Sequence, residues 1–154
     1  MQLRSGTAND AEAIAALIAS FQPELTDKPD GTGAESFLAS VSSQAERGYL
    51  ESPRYTYIVA EREGALLGFI ALRNVSHVFH LFVGRNHQRT GVARRLWQEA
   101  KAHALKTSAP RQFTVNSSLR AVATYRAFGF EPAGEVVSVH GISFIPMRLA
   151  LPEN

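Results

Sequence analysis

The stretch that decides the fold is Val83-Gly84-Arg85-Asn86-His87-Gln88-Arg89-Thr90-Gly91-Val92-Ala93-Arg94-Arg95-Leu96. A largely apolar run, residues 78–83, leads into it, and a helical pattern begins directly after the glycine at position 91. The stretch therefore predicts a strand, a short loop and the start of a helix. Amide N–H groups in the first turn of a helix lack intrahelical partners and the helix dipole is positive there, so this loop is suited to bind a polyanion.

The side chains of the loop favour a phosphorylated ligand. Gly91 lets a bulky pyrophosphate approach the backbone, small Ala93 keeps the next turn open, and Gln88, Arg89 and Arg94 add hydrogen-bond donors. Neither the Gly-Lys-Ser/Thr sequence of a P-loop nor the Gly-x-Gly-x-x-Gly fingerprint of dinucleotide-binding proteins is present. The pattern Gln-x-x-Gly-x-Ala instead resembles the acetyl-CoA loop of the GNAT N-acetyltransferase superfamily.

A second segment supports this resemblance. Residues 112–115 are typical of a strand, and Ala121, Val122, Tyr125 and Phe128 then fall on one face of a helix. Ser118 is predicted to cap this helix, and the glycine after Phe128 is predicted to end it. The phrases Thr-Val-Asn-Ser-Ser, Ala-Val-Ala-Thr-Tyr and Phe-Gly-Phe are similar to the C-terminal half of the superfamily, in which a tyrosine on this helix faces the sulfur of the cofactor.

The periodicity of the remaining chain predicts its other elements. These are a first strand at residues 3–4, a helix over 14–21, a second helix over 37–49, a hairpin of residues 57–60 and 66–71, and a C-terminal hairpin of residues 136–139 and 142–145. Gly68 is predicted to mark a bulge or a close backbone approach. The resemblance implies an α/β (mixed α+β) fold: one three-layer domain, residues 1–154, with helices on both faces of a mixed, mostly antiparallel sheet of about seven strands.

Composition limits the partners. The 16 basic and 14 acidic residues give a net charge of only +2, and the one dense basic cluster, Arg85, Arg89, Arg94 and Arg95, lies at the proposed phosphate loop. We therefore expect no nucleic-acid partner. No apolar run approaches the length that spans a membrane, and nothing in the sequence resembles a secretory signal, so we expect no membrane partner and a cytoplasmic location. The absence of cysteine excludes a cysteinyl acyl-enzyme and favours direct transfer.

The resemblance implies acetyl-CoA as co-substrate and assigns its contacts. The strand ending at residue 83 would bind the pantetheine arm through its backbone, residues 88–94 would hold the pyrophosphate, and Asn116 would lie near the thioester. Tyr125 would protonate the leaving thiolate. The cofactor residues are thus Leu81, Phe82, Val83, Gln88, Arg89, Thr90, Gly91, Val92, Ala93, Arg94, Asn116 and Tyr125.

The catalytic base is less defined. His77 and His80 both lie on the predicted strand, and imidazole accepts protons near neutral pH. The superfamily pattern favours His77; in a regular strand His80 would face the other way, unless a bulge turned it. A water chain ending on Glu61 or on the backbone is a further alternative. No set of histidines and carboxylates has metal-ligand spacing, so no metal is expected.

Two functions remain open at this point. The first is an acetyl-CoA-dependent N-acetyltransferase that acts on a primary amine of a small molecule or peptide. The second is a non-catalytic acyl-CoA-binding sensor, which would need the same loop but no proton acceptor. The sequence identifies neither the amine nor the acyl chain length, and it leaves a homodimer open.

Overall fold

The computed structural model describes residues 1–152. Its strands are β1 (Gln2–Ser5), β2 (Tyr55–Arg62), β3 (Ala65–Arg73), β4 (His77–Val83), β5 (Gln112–Ser118), β6 (Glu131–Pro132), β7 (Val137–Val139) and β8 (Ile142–Ala150). Its α-helices are α1 (Ala11–Ala19), α2 (Gln22–Leu25), α3 (Glu35–Ser40), α4 (Ser43–Glu51), α5 (Val92–Thr107) and α6 (Val122–Ala127). Three single-turn 3-10 helices precede α1, α5 and α6.

The strands form one mixed sheet in the order β1-β2-β3-β4-β5-β8-β6, with β7 also paired to β8. Every pairing is antiparallel except that of β4 with β5. The predicted mixed, mostly antiparallel fold is confirmed. The sheet has eight strands, one more than the sequence indicates, because the two-residue strand β6 is too short to leave a periodic pattern.

Apolar side chains fill both faces of the sheet. On one face α5 presents Leu96, Trp97 and Ala100 to a core that includes Phe113 and Tyr125. On the other face Ile14 and Ile18 of α1 pack with side chains of β2 and β3. The predicted arrangement of helices on both faces of the sheet is therefore present.

The region between α1 and β2 differs from the predicted single helix. The chain forms α2, α3 and α4, and α3 and α4 are separated at residues 41–42. Ser42 has extended backbone, and its hydroxyl accepts a hydrogen bond of 3.1 Å from the N–H of Ala45. A serine side chain that binds the backbone in this way starts a new helix instead of continuing the previous one.

β5 is longer than predicted, and this opens a gap in the sheet. It runs to Ser118, whose side chain does not cap a helix. β4 and β5 pair only through His77 with Thr114 and Val78 with Val115. Beyond these pairs the side of β4 that faces β5 has no partner strand among the described residues, and residues 81–83 border a cavity there.

A bulge in β4 changes which way its residues face. Arg73 of β3 pairs with His77, but Ala71 pairs with His80, so Phe79 is an extra residue in β4. One extra residue reverses the alternation of side chains beyond it. His77 and His80 therefore lie on the same face of the sheet, which a regular strand would not allow.

Gly68 allows β3 to approach β4 closely. A Cβ atom at this position would lie 2.6 Å from the carbonyl oxygen of Phe82. The register of β2 against β3 also shifts next to it, between Ala60 and Glu61. The predicted close approach and the neighbouring bulge are both present.

Candidate active site

The first cavity has a volume of about 740 Å³ and lies in the gap between β4 and β5. One wall is the end of β4 with the loop that follows it, and the opposite wall is the end of β5 with α6. Its size and elongated lining suit a ligand that extends from the loop at the start of α5 to the centre of the sheet. Among the residues that line it are Leu81, Phe82, Val83, Gln88, Arg89, Gly91, Ala93, Arg94, Ser118 and Tyr125.

The backbone of the 88–94 loop is arranged to bind an anion. Arg89 and Gly91 both have left-handed backbone, with φ of 62° and 91°. Within residues 1–152, the N–H groups of residues 88–94 have no protein hydrogen-bond acceptor; the first regular helical bond is from Arg95 to the carbonyl of Gly91. This run of N–H groups at the positive end of a sixteen-residue helix is suited to bind an anion.

The side chains of this loop divide into two groups. Arg89 and Arg94 line the first cavity and are available to a ligand. The Gln88 amide instead donates to the carbonyl oxygen of Val83 at 3.1 Å, and the Thr90 hydroxyl donates to the carbonyl oxygen of His87. Gln88 and Thr90 therefore hold the loop in shape through their side chains.

Not every predicted cofactor residue lies in the first cavity. Val92 is buried in the core under α5, and neither its side chain nor that of Thr90 lines the cavity. Asn116 lines the second cavity instead. Arg85, which belongs to the basic cluster of the sequence, binds Glu24 at 2.8 Å and covers the ring of Phe21.

The second cavity is smaller, about 280 Å³, and lies on the α1 face of the sheet. β4 forms its floor, α3 and β8 contribute further walls, and most of the side chains are apolar or aromatic. It shares Leu25, Leu81, Phe82, Ser118, Ala121 and Tyr125 with the first cavity. A ligand in one cavity can therefore meet a ligand in the other at the end of β4.

Tyr125 stands at this junction. Its ring is 5% exposed and makes edge contacts with Phe128 and Phe130 at centroid distances of 6.2 and 5.5 Å. Burial raises the pKa of Tyr125 above its ordinary value. The hydroxyl therefore keeps its proton at neutral pH.

Both strand histidines line the second cavity, but their surroundings differ. The Nδ1 atom of His77 lies 2.8 Å from the hydroxyl of Thr114. Burial and the nearby charge of Arg73 lower the pKa of His77 to about 4. His77 is therefore neutral at physiological pH and is a weak base.

His80 belongs to a buried hydrogen-bonded group. Its Nε2 atom lies 3.1 Å from Oε2 of Glu46, a fully buried carboxyl group, and the Tyr57 hydroxyl donates to Oε1 of Glu46 at 2.6 Å. Burial and Glu46 raise the pKa of Tyr57, which keeps this donor protonated. A carboxylate oxygen accepts this hydrogen bond from the neutral imidazole when its proton is on Nε2, and that tautomer leaves a lone pair on Nδ1.

Most of the chain matches one protein-family model. The model described as "Acetyltransferase (GNAT) domain" matches residues 25–151. The chain belongs to the GNAT acetyltransferase family. No curated protein matches this GNAT domain significantly.

Solved structures share its fold at low sequence identity. A GCN5-related N-acetyltransferase from Rhodopseudomonas palustris is 19% identical, with a TM-score of 0.78 over 97% of this chain and 95% of that one. PaiA N-acetyltransferase from Thermoplasma acidophilum, in complex with coenzyme A, is 14% identical, with a TM-score of 0.68 over 97% and 98%. An aminoglycoside 6'-N-acetyltransferase complexed with coenzyme A is 14% identical, with a TM-score of 0.70 over 100% and 99%.

Two charged residues near the second cavity of this GNAT domain are absent from the sequence-based site. Glu46 is on α4, and Arg73 is at the end of β3, 27 positions further along the chain. Glu46 is the only charged residue that interrupts the apolar face of α4, which is the signal that could have identified it. Arg73 resembles any charged residue at the end of a strand and gives no such signal.

Two further kinds of feature are absent from the described residues of the GNAT domain. Among residues 1–152 no helix combines the length and apolar character needed to cross a membrane. The same residues contain no group of three or more histidines and carboxylates that could hold a metal ion.

Proposed function

We propose that this GNAT domain transfers an acetyl group from acetyl-CoA directly to a primary amine. The observation that carries the proposal is the junction at Tyr125: a large cavity with an anion site at one end meets a second cavity that contains an imidazole. A sensor of acyl-CoA needs the first cavity alone. The second cavity and the buried Glu46–His80 pair favour an enzyme.

The first cavity is suited to the donor. The pyrophosphate would accept hydrogen bonds from the free N–H groups of residues 88–94, with Arg89 and Arg94 beside it. The pantetheine arm would extend along residues 81–83, where β4 lacks a partner strand. This path ends at Tyr125, so the thioester would lie at the junction of the cavities.

The second cavity would supply the base. An alkyl ammonium with a pKa of about 10.4 costs about 4.6 kcal/mol to deprotonate at pH 7. Both histidines border this cavity, but the pKa of about 4 makes His77 a weak acceptor. We therefore assign the base to Nδ1 of His80, with Glu46 holding the imidazole in the tautomer that leaves this atom free.

The transfer then needs three proton movements. His80 takes one proton from the ammonium, the neutral amine nitrogen attacks the thioester carbonyl carbon, the C–N bond forms, and the C–S bond breaks. The nitrogen releases its second proton to solvent as the amide forms, and the thiolate of CoA takes the hydroxyl proton of Tyr125. Protons then return to Tyr125 and leave His80 through solvent. No covalent enzyme intermediate is involved, in agreement with the absence of cysteine.

Thiol release from acetyl-CoA across a panel of primary amines tests this function. We expect release that depends on the amine. Tyr125→Phe should reduce kcat by roughly tenfold to thirtyfold, because protonation of a thiolate of pKa about 8.5 contributes about 2 kcal/mol at pH 7. The affinity for acetyl-CoA, measured by calorimetry, should stay within about twofold of wild type.

Tyr55→Phe is the matched control, because Tyr55 lines neither cavity. It should leave both kcat and affinity at wild-type values. Tight binding of acetyl-CoA without turnover of any amine would refute the enzyme and support the sensor. An unchanged kcat in Tyr125→Phe would remove Tyr125 from the reaction.

A further inference from the structure

The second cavity contains a single permanently charged side chain. Among its lining residues, Arg73 is the one cation, and no aspartate or glutamate lines it. Glu46, the nearest acidic group on the His80 side, is completely buried behind the imidazole. Asp27 is outside the lining and accepts a hydrogen bond of 2.7 Å from the hydroxyl of Ser143, so Arg73 is the one permanently charged group in the lining itself.

The guanidinium of Arg73 lacks a counter-ion within the described residues. Arg4 pairs with Asp10 at 2.9 Å and Arg85 pairs with Glu24 at 2.8 Å, but no carboxylate reaches Arg73. Its guanidinium carbon instead lies 5.4 Å from the centroid of the Phe79 ring. A half-buried cation that is not paired within the protein is suited to bind an anionic group of a ligand.

The remaining walls are aromatic. Phe37 from α3, Phe144 from β8, and Phe79 and Phe82 from β4 all line the cavity. At about 280 Å³ it is just below the range of roughly 300–1,000 Å³ that is typical of drug-sized ligands. Its volume therefore suits one ring with a short substituent.

The guanidinium and the base are close enough to bind one small molecule. The Phe79 ring is near both, 5.4 Å from the guanidinium carbon of Arg73 and 4.0 Å from the ring centroid of His80. The two groups are thus separated by no more than the sum of these distances. A molecule that carries an amine and a carboxylate a few bonds apart can contact both.

We propose that the acceptor is an aromatic amino acid or a close analogue, whose carboxylate binds Arg73 and whose ring packs against the phenylalanines of the second cavity. The inference rests on the proposed function. It also excludes polyamines and aminoglycosides as preferred substrates, because their additional ammonium groups would meet Arg73 and find no carboxylate in the lining.

The test compares matched amines in the thiol-release assay with the full chain. The probes are L-phenylalanine, its amide, phenethylamine and spermidine; the first three differ only at the carboxylate position. We expect kcat/KM for phenylalanine to exceed that of the amide and of phenethylamine about 10- to 100-fold, mainly through KM, since one charge-assisted pair is lost. Spermidine should be the poorest of the four.

Arg73→Gln tests whether the guanidinium of Arg73 is responsible for the preference for a carboxylate. It should lower kcat/KM for phenylalanine about 10- to 100-fold and change that for phenethylamine less than about threefold, while Arg73→Lys should retain part of the preference. Arg62→Gln is the matched control, because it removes the same charge from an exposed site at the end of β2. It should leave the preference unchanged.

The outcomes separate this inference from the proposed function. Equal turnover of phenylalanine and phenethylamine, preference for spermidine, or an equal loss for both amines in Arg73→Gln would overturn the carboxylate site and keep the transferase. Calorimetric titration of phenylalanine into the protein with CoA tests the case in which the carboxylate site is present but no acetyl group is transferred. Arg73-dependent binding without any thiol release would support the carboxylate site and refute the transferase.

Discussion

The 88–94 loop and the second cavity are assembled from different parts of the chain. The loop presents seven consecutive backbone N–H groups, all within one short stretch of sequence. The second cavity presents side chains from α3, β3, β4 and β8, with Glu46 of α4 behind them. A site made of backbone depends on local conformation, whereas a site made of side chains depends on packing between distant segments. The two should therefore respond differently to substitution.

Gly91→Glu should have the largest effect, and that effect should be on donor binding. The new carboxylate would point into open space beside the first cavity, where the pyrophosphate is proposed to bind. Repulsion between unit charges about 4 Å apart at an effective dielectric constant of about 20 is about 4 kcal/mol, or about a thousandfold in Kd. Calorimetric titration with acetyl-CoA measures this change in Kd.

Gly64→Glu is the matched control for Gly91→Glu. Gly64 also has positive φ, 81° against 91°, and also has open space around its Cβ position, but it lies in the turn between β2 and β3. Both variants should lose about 1 kcal/mol of unfolding free energy from backbone strain, and only Gly91→Glu should lose affinity. Retained tight binding in Gly91→Glu would show that the loop does not hold the phosphates.

The second prediction separates the two histidines. His80→Gln keeps a donor for Glu46 but removes the basic nitrogen, so kcat should fall about 100-fold, the lower end of the usual contribution of a general base. His77→Gln should lower it less than about tenfold, because His77 is a weak base. Single-turnover rates with saturating acetyl-CoA measure both variants. The reverse order of the two effects would assign the base to His77.

The third and smallest effect concerns stability. The pKa of His77 is about 4 in the folded protein and about 6.5 when unfolded, so the unfolded chain binds more protons between these values. The free energy of unfolding should therefore be fully retained above pH 6.5 and should fall as the pH approaches 4. After allowance for solvent screening, His77 should account for about 1–2 kcal/mol of this loss.

Chemical denaturation at pH 7 and pH 4.5 measures this loss. The free energy of unfolding of His77→Gln should decrease less between the two pH values than that of wild type. His103→Gln changes an exposed histidine of α5. Its free energy of unfolding should decrease between the two pH values as much as that of wild type. A His77→Gln variant that matched wild type would mean that the imidazole is not desolvated as the structure indicates.

The sequence predicts the loop well because the loop is local. Gly91 and the helical pattern that follows are sufficient to predict free N–H groups at the start of α5, and the fold follows from the order of the elements. The second cavity could not be predicted in this way. Which histidine serves as base depends on one extra residue, Phe79, and the sequence shows only that a bulge was possible there.

The same distinction between local and tertiary contacts explains why the sequence predicts the roles of side chains only in part. Gln88 fits the loop pattern, but its amide binds the carbonyl of Val83, a contact that no spacing rule specifies. Glu46 and Arg73 meet β4 only after α4 and β3 have packed against it. Their roles depend on tertiary contacts, for which a single sequence carries little information.

The gap between β4 and β5 also bears on aggregation. Unpaired strand edges normally invite another chain to add a strand, and proteins protect such edges with charges, prolines or short strands. Here the unpaired side of residues 81–83 borders the first cavity, whose opposite wall is the end of β5 with α6. This GNAT domain therefore keeps a reactive strand edge available for binding without exposing it at the rim of the sheet.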